Sequence, residues 1–280
     1  MSALGWLDDW RRRVKAAAWR RAGSVPGAAG HGAARWLAIE LAVTGATAGR
    51  YGWDDAGIDE RVVEYAWAFE RVAALRAKDS RVLDAGSVLN YPCVLRAWRG
   101  ASFPPVSIVT LKYEGAAVVS DGVRYEFADL RKLPYRDEWF EVVLSLSTLE
   151  HVGLDNTIYG AAAESARDAD AEVTRALGEL HRVTAPSGTL LLSVPFGARS
   201  NRGWFRILDA GDLDILARAP GWTNARVRYF RCTREGWREC AADDAKSAGY
   251  NEPLNRPGQQ TAPAWVSGAE AVALLEMTRS

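Results

Sequence analysis

Arg81-Val82-Leu83-Asp84-Ala85-Gly86-Ser87 is the stretch on which the reading of this chain turns. A short apolar run ending in an acid and a glycine is the pattern of a buried strand that breaks into a tight turn. Before it, Ile58, Val62, Tyr65, Phe69 and Val72 recur at helical spacing, which predicts a helix over 58–76. After it come a short helical stretch at Cys93–Trp98 and two β-rich runs, Val106–Leu111 and Val123–Phe127, the second leading to Asp129. Phe140–Ser145 is a fourth strand, and its unbroken Val142-Val143-Leu144 implies cover on both faces. Ala169–Val183 carries a helical apolar stripe, which Pro186-Ser187-Gly188 is expected to stop before a fifth strand at Thr189–Val194. A helix at Asp212–Ala217 and late strands at Ala225–Phe230 and Ala271–Met277 follow, with a polar loop, Lys246–Ala264, between those strands. Strands alternating with helices predict an α/β domain over 58–280: a doubly wound, mostly parallel sheet with helices on both faces. Residues 1–57 then form an N-terminal helical accessory segment.

Composition narrows the function. In 280 residues, Lys+Arg and Asp+Glu both number 35, so a chain that grips nucleic acid through a basic face is disfavoured. Cys93, Cys232 and Cys240 make neither a disulfide framework nor a zinc spacing, which suits a reducing cytoplasm. No metal site is expected. Asp8, Asp9 and Arg11-Arg12-Arg13 interrupt any export signal, and the apolar run Trp36–Val43 is too short to span a bilayer and contains Glu40. The helix expected at 3–21 sets Leu7, Trp10 and Val14 on one side and basic residues on the other. Such a helix can lie on an anionic membrane or dock on its own domain, and docking is the expected use.

In an open parallel sheet, ligands bind beyond the carboxyl ends of the strands, where strand order reverses. Asp84, Gly86, Ser87, Glu114, Asp129, Ser145, Ser147 and the pair Glu150-His151 fall at or beyond those ends. A dinucleotide needs several glycines around its pyrophosphate, whereas this turn continues Val88-Leu89-Asn90 and no Walker loop is present. S-adenosylmethionine has no phosphate, and one tight turn with carboxylates can hold it.

Four segments occur in order: Arg81–Ser87, Ala128-Asp-Leu-Arg-Lys-Leu-Pro134, Phe140–Gly153 with Glu150-His151-Val152, and Glu179–Leu192. Together they resemble the class I S-adenosylmethionine-dependent methyltransferases of small-molecule type, a Rossmann-like fold, over about residues 81–216. The resemblance implies that Asp84, Gly86 and Ser87 hold the methionine end of the cofactor. It places Asp129 and Leu130 at the adenine edge and Ser145 and Ser147 beneath the sulfonium. The family's ribose-binding acid normally ends strand two; here Thr110-Leu-Lys-Tyr-Glu114 leaves Glu114 as its substitute. For Asp84 and Asp129 the competing role is a turn or cap. His151 is the candidate base for a hydroxyl acceptor, against a structural role in which Glu150 and His151 open the next helix or hydrogen-bond across the crevice. His181 and His31 read as packing or loop residues. Acceptor contacts are expected from Leu154–Ala166, Phe196–Arg206 and Arg231–Trp237, where arginines mix with aromatic rings.

The expectation is therefore a cytoplasmic methyltransferase acting on a small molecule, plausibly at a hydroxyl of a sugar or secondary metabolite. The alternatives are an inactive methyltransferase-like assembly protein and a dinucleotide-dependent oxidoreductase, the latter disfavoured by Val88 and Asn90.

Overall fold

The computed structural model describes residues 3–46, 57–75, 80–112, 122–159, 166–252 and 260–280. Val82–Ala85 (β1), Val106–Thr110 (β2), Val123–Phe127 (β3), Phe140–Leu146 (β4) and Thr184–Pro195 (β5) are parallel, in the order β3-β2-β1-β4-β5. Trp222–Thr233 (β6), Gly236–Cys240 (β7) and Ala271–Arg279 (β8) continue the sheet antiparallel, with β8 between β5 and β6 and β7 at the edge. The sheet is mostly parallel, as the alternation of elements implied. The chain walks outward from β1 to β3 and returns past β1 to β4. This reversal opens a crevice at the carboxyl ends of β1 and β4.

The continuous apolar run of β4 serves two cores. Val142, Leu144 and Leu146 enter one cluster and Val143 the other, the two-residue period of a strand buried on both faces. Arg61–Ala74 (α3) and Pro92–Gly100 (α4) cover the first face; Ala169–Val183 (α5) and Ala210–Ala217 (α6) cover the second. Ala3–Arg21 (α1) packs on His31–Ala46 (α2), which packs on α3 and α4. Because α3 is sandwiched between α2 and the sheet, it is buried nearly all round.

Three details differ from the sequence reading. The helix α5 ends at Val183 and β5 begins at once, so Pro186-Ser187-Gly188 lies inside the strand, where the pairing with β4 slips between Phe140 and Val142. The hairpin partner β7 was not anticipated; its Trp237 is fully buried and donates its indole N–H to the Ile58 carbonyl at 3.0 Å. In α1, Trp10 and Val14 face outward, 52% and 48% exposed, while Ala16 and Trp19 make the docking face. Trp19 wins that place because its ring packs on His31 at 5.4 Å and its N–H reaches the Val25 carbonyl at 2.7 Å, whereas small Ala16 lets α2 approach.

Candidate active site

The turn after β1 is built from two residues with separate tasks. The Asp84 carboxylate, buried at the end of β1, accepts the Leu89 N–H at 2.8 Å and closes the turn. Gly86 has φ +137°, and a Cβ there would lie 2.1 Å from Thr148 Oγ1. Only glycine lets the turn after β1 touch the turn after β4. Ser87 and Ser147 flank this contact with φ +64° and +39°. Non-glycine residues in left-handed backbone are uncommon, and they concentrate at ligand sites.

Around this contact lies a cleft of about 810 Å³. Gly86, Ser87, Asp129, Leu130, Ser147 and His151 all line it, so six of the residues collected from the sequence converge. Asp84 and Ser145 are fully buried and do not line it. The Ser145 hydroxyl finds no hydrogen-bond partner among the described residues. Glu114 falls outside the described residues.

Each polar wall is tied down. Asp129 accepts the Arg131 backbone N–H at 2.8 Å and its guanidinium Nε at 2.9 Å, while Arg131 reaches on to Glu172 at 2.7 Å. Partial burial would raise the Asp129 pKa, but these bonds outweigh it and hold the group below the usual carboxylate range. Beneath the cleft, Glu64 of α3 accepts the Ser147 and Ser193 hydroxyls at 2.5 and 2.7 Å and pairs with Arg61 at 2.6 Å. Arg61 itself lines the cleft. Burial, helped by neighbouring acids, raises the pKa of Glu60 to about 8 and that of Glu150 well above normal.

His151 stands where the β4 turn meets the 203–206 loop. Its Nδ1 lies 2.9 Å from the Trp204 carbonyl, which makes Nδ1 the protonated nitrogen and Nε2 the acceptor. The rings of Trp204, Tyr159 and Phe205 surround it with centroids at 5.1, 5.5 and 6.0 Å. Burial lowers its pKa to about 4 against the raising effect of the Trp204 carbonyl, so the imidazole is neutral at physiological pH.

The loops expected to meet an acceptor behave unevenly. From 196–206, Trp204 supports His151, but Arg199 and Arg206 pair with Asp170, line a separate groove and do not reach the cleft. Arg231 to Trp237 lies in the β6–β7 hairpin, away from the cleft. Of 154–166, Asn156 and Tyr159 line the cleft, and residues 160–165 are outside the described residues. His181 packs edge-on against Trp222, and His31 lies 2.8 Å from the Gly57 carbonyl. Arg61, Tyr91 and Lys112 are cleft residues the sequence reading missed. The one available signal was the Arg61–Glu64 pair, spaced by three at the head of a largely buried helix.

Residues 102–192 match the family model described as a methyltransferase domain. The 27-O-demethylrifamycin SV methyltransferase of Amycolatopsis mediterranei (strain S699) is 28% identical over 229 residues, 73% of this chain and 80% of the relative. Among solved structures, the [4+2]-cyclase SpnF gives a TM-score of 0.45 at 16% identity, over 87% of this chain and 93% of that one. The 1,6-didemethyltoxoflavin-N1-methyltransferase of Burkholderia thailandensis, solved with 1,6-didemethyltoxoflavin and S-adenosylhomocysteine, gives 0.47 at 14% identity, over 100% and 91%.

Proposed function

We propose that this chain, an S-adenosylmethionine-dependent methyltransferase, delivers its methyl group to a hydroxyl oxygen of a small molecule, on a sugar or a secondary metabolite. The neutral His151 imidazole carries the reading: a ring lining the cleft, with Nδ1 pinned to a backbone carbonyl and Nε2 left to accept a proton. A relative whose printed name specifies a 27-O-demethyl substrate supports an oxygen acceptor.

The residues present suit the cofactor. The cleft volume falls within the range of about 300–1,000 Å³ usual for small-molecule sites. In this reading the Gly86-Ser87 turn, braced by Asp84, receives the methionine end, and Arg61 faces its carboxylate. Asp129 and Leu130 meet the adenine edge, Ser147 forms the floor, and Glu114 is the proposed partner of the ribose. When bound, the cofactor supplies an electrophilic methyl carbon on a sulfonium. The protein's part is to hold an acceptor oxygen in line with that carbon and to exclude water. The new C–O bond would form as the methyl carbon's bond to sulfur breaks, its electron pair leaving with the neutral thioether, and the hydroxyl proton would pass to Nε2 of His151 and then to solvent. A base of low pKa takes that proton as the oxygen is methylated rather than beforehand. Residues 58–280 make up the catalytic domain, with 1–57 accessory to it. A cytoplasmic setting is consistent with three unpaired cysteines, two of them buried.

Titration calorimetry with S-adenosylmethionine and S-adenosylhomocysteine tests the cofactor. Absence of heat at millimolar cofactor would remove the enzymatic reading in favour of an inactive binding protein. Screening hydroxyl, amine and carboxylate acceptors tests the rest. Turnover confined to amines would overturn the oxygen assignment.

A further inference from the structure

The face that α1 turns away from the protein has no role in the cleft. At 100° per residue, Trp10 and Val14 lie roughly opposite the docking residues Ala16 and Trp19, with Ala17 and Ala18 completing an exposed apolar stripe. Arg11 and Lys15 flank it on one side and Arg13 and Arg20 on the other, all exposed. On the Arg13–Arg20 side the stripe is extended by Leu41 of α2, 61% exposed, which shares a surface groove with both arginines. In α1, six Arg or Lys residues face only Asp8 and Asp9, in a chain whose formal net charge is zero. Charge is therefore segregated onto this helix.

We propose that α1 binds an anionic lipid surface in the plane of the interface, with Trp10 and Val14 inserted among the headgroups and the arginines and Lys15 around them meeting lipid phosphates. Long cationic side chains can lay their stems beside an apolar stripe while keeping their charges in the headgroup layer. A second copy fits this face poorly, since two-fold pairing would bring its cationic borders together. The acidic residue in the groove, Glu40, lies 3.5 Å from Arg96 of α4. Through α2, whose Arg35 sits over the cleft residue Tyr91, the lipid-facing helix is one layer from the site. Surface binding would thus hold the cleft near acceptors that partition into membranes.

Co-sedimentation of the full chain with vesicles of equimolar phosphatidylglycerol and phosphatidylcholine, against phosphatidylcholine alone, over a salt series, tests this. The chain should pellet with the anionic vesicles only and be released by salt. Each cation near such a surface contributes about fivefold to affinity. The double variant Arg11→Glu/Lys15→Glu should therefore weaken binding on the order of a hundredfold, and Trp10→Ala about tenfold. Melting temperature and S-adenosylmethionine affinity should stay unchanged in both. No pelleting at low salt, or pelleting that survives both variants, would overturn the proposal. So would a lipid-independent dimer abolished by the same variants, which would hand the face to a second copy.

Discussion

At the scale of single residues, the cleft is set by groups whose structural and chemical tasks overlap. Asp84 bonds the Leu89 N–H, so Asp84→Ala leaves a buried donor unpaired and should lose about 1–3 kcal/mol in denaturant unfolding, along with cofactor affinity. Asp84→Asn keeps an acceptor for that donor. If the carboxylate's charge holds the cofactor's amine, this variant keeps its melting temperature and loses at least about tenfold in affinity; equal affinity would assign Asp84 to the turn alone. Gly86→Ala combines a left-handed φ with a collision against Thr148, and it should abolish cofactor binding measured by calorimetry. His151→Ala should leave cofactor affinity intact and lower kcat on the order of a hundredfold. Because burial holds the His151 pKa at about 4, its base form persists above that value. The acid limb of kcat/KM should fall near pH 4, and a limb near 6.5 would show the ring to be solvated. The turn at Asp84–Gly86 and the place of His151 beyond β4 were legible in the chain because turn chemistry and strand ends are local. Arg61 was not, since nothing local says that the first turn of α3 opens on a cleft formed after β1 and β4.

At the scale of elements, two carboxylates fasten α3 to the sheet. Glu64 joins Ser147 after β4, Ser193 on β5 and Arg61 on its own helix, and a second tie runs from Arg71 to Glu276 of β8 at 2.7 and 2.9 Å. Removing one partner of a buried ion pair costs about 3–5 kcal/mol, because the remaining charge stays desolvated. Glu64→Ala should lose stability of that order in urea titration. It should also weaken cofactor binding, since both Ser147 and Arg61 lose their anchor. An unchanged unfolding midpoint would show that the pair contributes nothing. The α3 apolar pattern announced a helix but not its partners. The same limit explains α1: its stripe was visible, yet Trp19, its ring tilted against His31, takes the docking place that Trp10 and Val14 were expected to fill. Between α5 and β5, pairing with β4 begins at Thr184 and outcompetes the expected break at Pro186–Gly188.

Over the whole molecule, the buried acids make stability depend on pH in an unusual direction. Glu60, at about 8, and Glu150, well raised, bind protons in the folded chain that the unfolded chain releases near 4.5. Their contribution is complete below that unfolded value and is lost as pH rises, for Glu60 through about 8. Above the His151 range the melting temperature should therefore fall between about pH 6.5 and 8, and Glu60→Gln should flatten the slope; an unchanged slope would place the proton elsewhere. His151 acts oppositely on the acid side. Its lowered pKa leaves stability intact above about 6.5, and that stability is lost as pH falls from there toward 4. Carboxylates held low by arginines, such as Asp129 and Glu179, add to the acid loss below their unfolded values.

From the amino-acid order alone came the parallel sheet, the glycine turn after its first strand and the acid after its third. These rest on period, breaker residues and strand-end chemistry within a few neighbouring positions. The convergence of Arg61, Glu64 and Ser147 under the cleft, the neutral state of His151 and the outward stripe of α1 were decided only by packing. Each depends on what a distant segment places alongside: the Trp204 carbonyl, the end of β4, or the face of α2. Desolvation and close approach are properties of that three-dimensional neighbourhood, and linear spacing does not encode them.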